Sequence, residues 1–218
     1  MGSSIGGDRM KKPWMEMSLR DFQSALASSS PTPGGGTAAA VALGQASALA
    51  VMVCDLTLGN EKWKEGWVVA ETIMSNAITT MSRASELADE DSDAFDAVMA
   101  AYKMPKNEDK EIEERREAIR SATLKATEVP FETAKLALEL LEQLVELANV
   151  GNSNAISDVG VSGLLASAAC KGGLFNVEIN LSSLPEHYAK QIREESPLLM
   201  VKSKKLSRQI MDNVKGNL

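Results

Sequence analysis

Along most of the chain apolar residues return every three or four positions, the period of a helix with one buried face. The longest run follows Gly59-Asn60. Trp67, Ala70, Ile73, Met74, Ala77, Ile78, Met81 and Leu87 share a face there, and Ala94, Phe95, Val98, Met99 and Tyr102 resume it beyond the acidic patch Asp89 to Asp93. Lys103-Met-Pro-Lys106 ends that section, because the residue before a proline is pushed out of helical geometry. Asn107 is placed to cap the next helix, whose first half is dense in charge from Glu111 to Arg120. Pro130 is expected to kink that helix or start a new one, after which Leu136, Leu140, Leu144 and Leu147 form a stripe. Gly151 to Asn154 predict a turn, and Asp158 leads into a further apolar run that Lys171-Gly-Gly173 is expected to break. Phe175 to Leu181 alternates like a strand, but a strand without a partner is unstable, so helix or extended coil is expected. A last helix is predicted from about Pro185 to Val214.

Upstream, Ser18-Leu-Arg-Asp21 predicts a capped short helix with Leu19, Phe22, Ala25 and Leu26 on one face. Pro31-Thr-Pro-Gly-Gly-Gly-Thr37 then interrupts regular structure before a nearly uncharged run of small, helix-favouring residues reaching Cys54. A helix without a polar face is one surrounded by protein. Gly34, Gly35 and Gly36 leave its first N–H groups uncovered. The segment therefore reads either as a tight turn into a buried helix or as a helix start open to a ligand. Gln45, Ser47 and the many alanines make the run too weakly hydrophobic for a membrane span. The pattern as a whole predicts an all-α fold, a multihelical up-and-down bundle of seven or eight helices with several long ones. Residues 1–17 are expected to be a flexible leader and residues 18–218 a single helical domain.

Composition narrows the function. Hydrophobic residues make up 44% of the 218-residue chain but aromatics only 4%, which suits a core of closely packed Ala, Leu, Val and Met and a large helix–helix interface between two copies. A formal charge of −7 argues against nucleic acid and against an anionic membrane surface as partners. Cys54 and Cys170 lie in apolar helical contexts and read as buried, reduced thiols of a cytoplasmic protein. His187 is the only histidine, which excludes His-based zinc sites and a Ser-His-Asp triad. No metal site is expected, and acid–base chemistry falls to carboxylates, lysines or the backbone.

Three polar groups lie inside or beside apolar runs, where charge is expensive unless compensated. Asp89, Asp91 and Asp93 have a plain reading as a solvated acidic helix start. Lys103 and Lys106 read singly as surface lysines. The third group is Asn152, Asn154 and Asp158, followed by Asn176 and Asn180; Asn152 and Asn154 read as turn formers and Asp158 as a helix cap.

Their ordered combination resembles a known family. Pro33-Gly-Gly-Gly-Thr37, Asp91-Ser-Asp-Ala-Phe95 with Lys103-Met-Pro-Lys106, and Asn152-Ser-Asn-Ala-Ile-Ser-Asp158 with Phe175-Asn-Val-Glu-Ile-Asn-Leu181 are similar to the signatures of the formiminotransferase-cyclodeaminase family. The resemblance is to its cyclodeaminase domain and runs from about Ser18 to Val214. It implies an all-helical, homodimeric enzyme with a tetrahydrofolate derivative as substrate and no tightly bound cofactor. The implied reaction is cyclodeamination of 5-formiminotetrahydrofolate to 5,10-methenyltetrahydrofolate and ammonia, with methenyltetrahydrofolate cyclohydrolysis in the same pocket as the rival. A non-catalytic helical module binding folate or a partner is the alternative of another class. The family's catalytic acid maps onto Asp91. Lys103, Lys106 and Arg115 are candidates for the glutamate tail of folate, and Gly34 to Gly36 for an anion or the pterin edge. Asn152, Asn154 and Asp158 are candidates for the pterin amide and amino groups.

Overall fold

The computed structural model describes residues 12–217. Six α-helices follow one another: α1 (Leu19–Leu26), α2 (Gly35–Thr57), α3 (Trp67–Tyr102), α4 (Asp109–Val150), α5 (Ile156–Ser182) and α6 (Lys190–Asn217). Short 3-10 turns occupy Trp14–Glu16, Glu61–Gly66 and Ser153–Ala155, and no strand occurs among the described residues. Helices α2 to α5 run alternately up and down and close into a ring in which α5 returns to pack on α2, while α6 lies along α4 and α5. Leu43, Val53, Ile73, Leu141, Leu144 and Val177 fill the centre.

Helix α2 is the axis of this arrangement. Ala39, Ala46 and Ala50 are buried, and their small side chains let α3 and α5 approach. The expectation that this run is too weakly hydrophobic for a membrane span is corrected: by length and composition it would suit one, but it is packed within the bundle by α3, α4 and α5. Cys54 and Cys170 are both buried and unbonded, and burial pushes the Cys54 thiol up to about 12. Ser18 caps α1 as expected, its Oγ accepting from the Asp21 N–H at 3.1 Å. The apolar face of α1 is not covered, however: none of its residues is buried and Leu19 is 76% exposed.

Six helices replace the expected seven or eight because two expected breaks are absent. Pro130 stays inside α4, and Gly172-Gly173 stay inside α5. The two anomalies meet. Proline has no N–H, so the carbonyl of Ala126, four residues earlier, loses its helical donor. The Asn180 amide of α5 donates to that carbonyl at 2.7 Å. A Cβ at position 173 would lie 2.5 Å from the Pro130 carbonyl oxygen, so glycine is required where α5 crosses the proline turn. The strand-like alternation of Phe175 to Leu181 is accordingly the continuation of α5.

Two boundaries are also corrected. Helix α4 starts at Asp109 after Glu108, and Asn107 contributes its backbone N–H to the Glu111 carboxylate at 2.8 Å rather than a side-chain cap. The expected leader extends too far. Trp14–Glu16 form a turn docked on α3, with the Trp14 N–H on Asp89 Oδ1 at 2.9 Å and its indole N–H on Ser92 Oγ at 3.0 Å. Residues 1–11 of the expected leader lie outside the described residues. Beside the α3–α4 seam, Arg83 holds Glu132 at 2.7 Å and Glu90 at 2.5 Å, which lowers the Glu132 carboxyl below its ordinary value.

Gly173→Ala is expected to destabilise the protein by about 1–3 kcal/mol, the range for forcing one carbon into a filled contact. Urea unfolding measures it, and a midpoint equal to wild type would remove the argument for close approach at Pro130.

Candidate functional site

The bundle has one end where four elements converge on a pocket of about 250 Å³. Pro31, Thr32 and Gly34 to Gly36 form its rim at the start of α2. Asp91, Phe95 and Val98 come from α3, Ala126 from α4, and Asn176, Ile179 and Asn180 from α5. Asp91 is the only ionisable residue among them.

Its position follows from the way α2 begins. Gly34 occupies the N-cap and has no side chain to accept from the first helical N–H groups. Asp91 supplies an acceptor from the neighbouring helix, taking the Thr37 hydroxyl proton on Oδ2 at 3.0 Å and the Thr37 backbone N–H as well. The helix macrodipole favours negative charge at this point. Gly36 permits the contact, since a Cβ there would lie 2.1 Å from Asp91 Oδ1. Two physical effects then oppose each other on the carboxyl. Burial raises its proton affinity above the usual aspartate value, and the two Thr37 donors pull it back. The net shift is upward.

The opposite wall is neutral and polar. Asn176 donates Nδ2 to the Gly172 carbonyl at 2.9 Å, and Asn180 donates to Ala126 at 2.7 Å. Each keeps an amide oxygen as an acceptor beside the pocket. Phe95, Val98 and Ile179 supply apolar surface. A small planar cation with N–H donors suits such a site: the carboxylate balances its charge, the asparagines accept from it, and the apolar groups cover its faces.

Of the residues singled out in the sequence, Gly34, Gly35, Gly36 and Asp91 come together here. Lys103 and Lys106 do not line the pocket. They are exposed at and beyond the far end of α3, about 18 Å or more along the helix from Asp91 at 1.5 Å per residue. Arg115 stands at the same far end, donating to the Tyr102 carbonyl at 3.0 Å with its guanidinium over the Tyr102 ring. Asn152, Asn154 and Asp158 are at the opposite end of the bundle. Asn152 ties the start of α5 to the end of α2 through the Leu56 carbonyl at 2.8 Å and Thr57 Oγ1 at 3.0 Å, and its Oδ1 caps the Asn154 N–H. Asp158 lies in the first turn of α5, about 27 Å of helix from Asn176. In a single chain these three do not reach the pocket. Asn152 and Asn154 are the turn formers their residue type suggested.

Thr37 and Ser92 are polar residues whose part in the site the sequence did not assign, whereas Asn176 and Asn180, singled out with the third polar group, do line the pocket. Asn176 and Asn180 stand at i and i+4 in a segment expected as helix or extended coil, and as helix they share one face toward the pocket. A larger cavity of about 520 Å³ opens between α5 and α6, lined by Leu174, Val177, Leu181, Arg193 and Met200 among others. Arg193 there donates to the carbonyls of Leu181 and Leu184 at 2.8 and 2.9 Å, closing the end of α5, so its charge serves the fold. Among the described residues no three His, Cys, Asp or Glu side chains gather as metal ligands.

Known proteins share this architecture. The sequence profile described as formiminotransferase-cyclodeaminase matches residues 18–197. A methenyltetrahydrofolate cyclohydrolase of Methylorubrum extorquens is 34% identical over 201 residues, covering 92% of this chain and 97% of that protein. A formimidoyltransferase-cyclodeaminase of Mus musculus is 30% identical over 177 residues, 81% of this chain but only 33% of the mouse protein. The crystal structure of a formiminotetrahydrofolate cyclodeaminase from Thermotoga maritima superposes with a TM-score of 0.77 at 27% identity, over 94% of this chain and 96% of that one. The profile spans most of the helical domain, and two of these relatives match nearly end to end. The chain therefore belongs to the formiminotransferase-cyclodeaminase family.

Proposed function

We propose that this protein is a one-carbon enzyme that works on the methenyl bridge of tetrahydrofolate, with Asp91 as its reacting carboxylate. What carries the reading is that a partly buried carboxylate, alone among neutral neighbours, faces a small pocket in a chain of this family. Hydrolysis of the bridge is the first reading, because the Methylorubrum relative of that name matches along its whole length. Water adds to the cationic bridge carbon while Asp91 takes its proton. The bond from that carbon to N5 then breaks as the proton passes from Asp91 to N5. The carbinol hydroxyl gives its own proton to the freed carboxylate and on to solvent, leaving a neutral formyl group on N10. An ionised carboxylate both accepts the proton and stabilises the cation before it is consumed.

Cyclodeamination is the second reading, favoured by the Thermotoga structure. It closes N10 onto a formimino carbon and expels ammonia. The N10 proton passes to the imino nitrogen, and the same carboxyl, protonated, supplies the second proton with which that nitrogen leaves as ammonia. In both, Lys103, Lys106 and Arg115 on the α3–α4 arm provide positive charge for the glutamate tail. Tyr102 supports that direction, since it continues the helical face begun by Phe95 and Val98. A homodimer is part of the proposal. The exposed face of α5, with Val161, Leu164, Phe175 and Ile179 at helical spacing, offers a second copy an apolar surface.

Asp91→Asn is expected to lower turnover of 5,10-methenyltetrahydrofolate at least about 100-fold, the usual contribution of a positioned acid or base. Parallel assays with 5-formiminotetrahydrofolate separate the two reactions, and near-wild-type rates on both would remove Asp91 from the mechanism. The same variant is expected to melt higher than wild type at pH 8. A carboxyl whose folded value is raised stabilises the fold while protonated, and that contribution is lost as pH rises through the folded value. The gap between the variant and wild type should therefore shrink on acidification, and a gap independent of pH would contradict the buried charge. Gly36→Ala is expected to lower kcat about tenfold or more while shifting the melting temperature little, by pushing the Asp91 carboxylate aside. Unchanged kinetics would show that the carboxylate's exact seat is unimportant.

A further inference from the structure

The carboxylate of Asp91 is the end of a chain of hydrogen bonds that begins outside the pocket. The Trp14 indole N–H reaches Ser92 Oγ at 3.0 Å, Ser92 Oγ lies 3.0 Å from Thr37 Oγ1, and Thr37 Oγ1 lies 3.0 Å from Asp91 Oδ2. Ser92 and Thr37 are buried, at 1% and 0% exposure, so water does not complete the network. An indole N–H donates and never accepts, and an ionised carboxylate accepts and never donates. With both ends of the chain fixed, the hydroxyl protons between them have one consistent order. Thr37 gives its single proton to Asp91, and Ser92 gives its own to Thr37.

We propose that Trp14, in the 3-10 turn ahead of α1, is a positioning residue for Asp91, setting through Ser92 the direction of the Thr37 hydroxyl that holds the carboxylate. The proposal rests on Asp91 being the reacting group. Trp14 is held in place independently of that chain. Its backbone N–H is on Asp89 Oδ1 at 2.9 Å and its ring stands edge-on to Phe22 at 6.2 Å. When the indole donor is removed, Ser92 has a free acceptor site and competes with Asp91 for the Thr37 proton. Bonds in such a series polarise one another, so loss of the first weakens the last.

The groups around Asp91 leave this chain as its main adjustable influence. The residues facing the pocket from α2, α4 and α5 are the Gly34 to Gly36 backbone, Ala126, and Asn176, Ile179 and Asn180, none of them ionisable. On α3 itself, Asp89 and Asp93 line a separate hollow with Lys12 and Trp14, and Glu90 is held by Arg83.

Trp14→Phe keeps a ring and deletes the donor, and Ser92→Ala breaks the next link. Carboxyl carbon-13 NMR titration of the full chain, with Asp91→Asn to assign the signal, reads the effect without any substrate. The expected result is that Asp91 titrates at higher pH in both variants than in wild type. The double variant should move it no further than the larger single change, because both act through one path. The acidic limb of the pH–rate profile should move in the same direction, with kcat falling about threefold near neutrality and KM nearly constant. An unshifted Asp91 signal in Trp14→Phe, or additive shifts in the double variant, would overturn the proposal. If the signal moves as expected but Asp91→Asn retains turnover, the network stands and the catalytic reading of Asp91 is what fails.

Discussion

A carboxylate pressed against the backbone at the start of a buried helix is the constraint around which this structure is arranged. Asp91 has to leave water to reach the α2 terminus, and burial there raises its affinity for a proton above the ordinary aspartate value. Its charge is made tolerable by Thr37, which donates both its hydroxyl and its N–H. A side chain at position 36 would end that contact, so the glycine matters for space and not for an unusual backbone angle. The uncharged character of α2 has the same origin. Nothing on its first turns competes with Asp91 for the helix terminus, and its alanines let α3 bring the carboxylate close.

The far wall of the pocket depends on a compensation between two residues that each disrupt a helix. Pro130 deprives Ala126 of a donor, and an orphaned carbonyl in a buried seam costs about 1–3 kcal/mol. Asn180 restores the bond from α5, and Gly173 leaves room for the proline turn to come near enough. The compensation also fixes the rotation of α5, so Asn176, one turn before Asn180, faces the pocket as well. Packing and recognition are settled by one contact.

This explains how much could be read from the chain beforehand. Three- and four-residue periodicity identified the helical class, because burial of one face is a local property of sequence. The triple glycine and Asp91 were legible for a related reason: each is an exception inside a strong pattern. Gly172-Gly173 and Pro130 each predict a break when taken alone, and neither is one because their compensation lies on different helices. Asn152, Asn154 and Asp158 stood close in sequence to the segment that does line the pocket. Distance along a helix undid the association, since α5 carries its two ends far apart at 1.5 Å per residue. Trp14 was hidden by its setting among charged and flexible-looking residues, where no periodicity marks a docked turn.

A neutral pocket with a single acid has a consequence for turnover under the proposed chemistry. Among the described residues none that lines the pocket is basic, and burial raises the affinity of Asp91 for its proton above the ordinary value. A cationic methenyl bridge reverses that preference on arrival, because an opposite charge at close range stabilises the carboxylate. Substrate thus helps to create the base that activates water against it. Once the bridge has become a neutral formyl group, the attraction is gone while the burial remains, and the carboxylate again sits in surroundings that disfavour charge. Product is then held by less than substrate was, and the difference works toward release. A basic residue in the pocket would hold Asp91 ionised throughout and remove this asymmetry, which gives a physical reason for placing the lysines and Arg115 at the distant end of the α3–α4 arm.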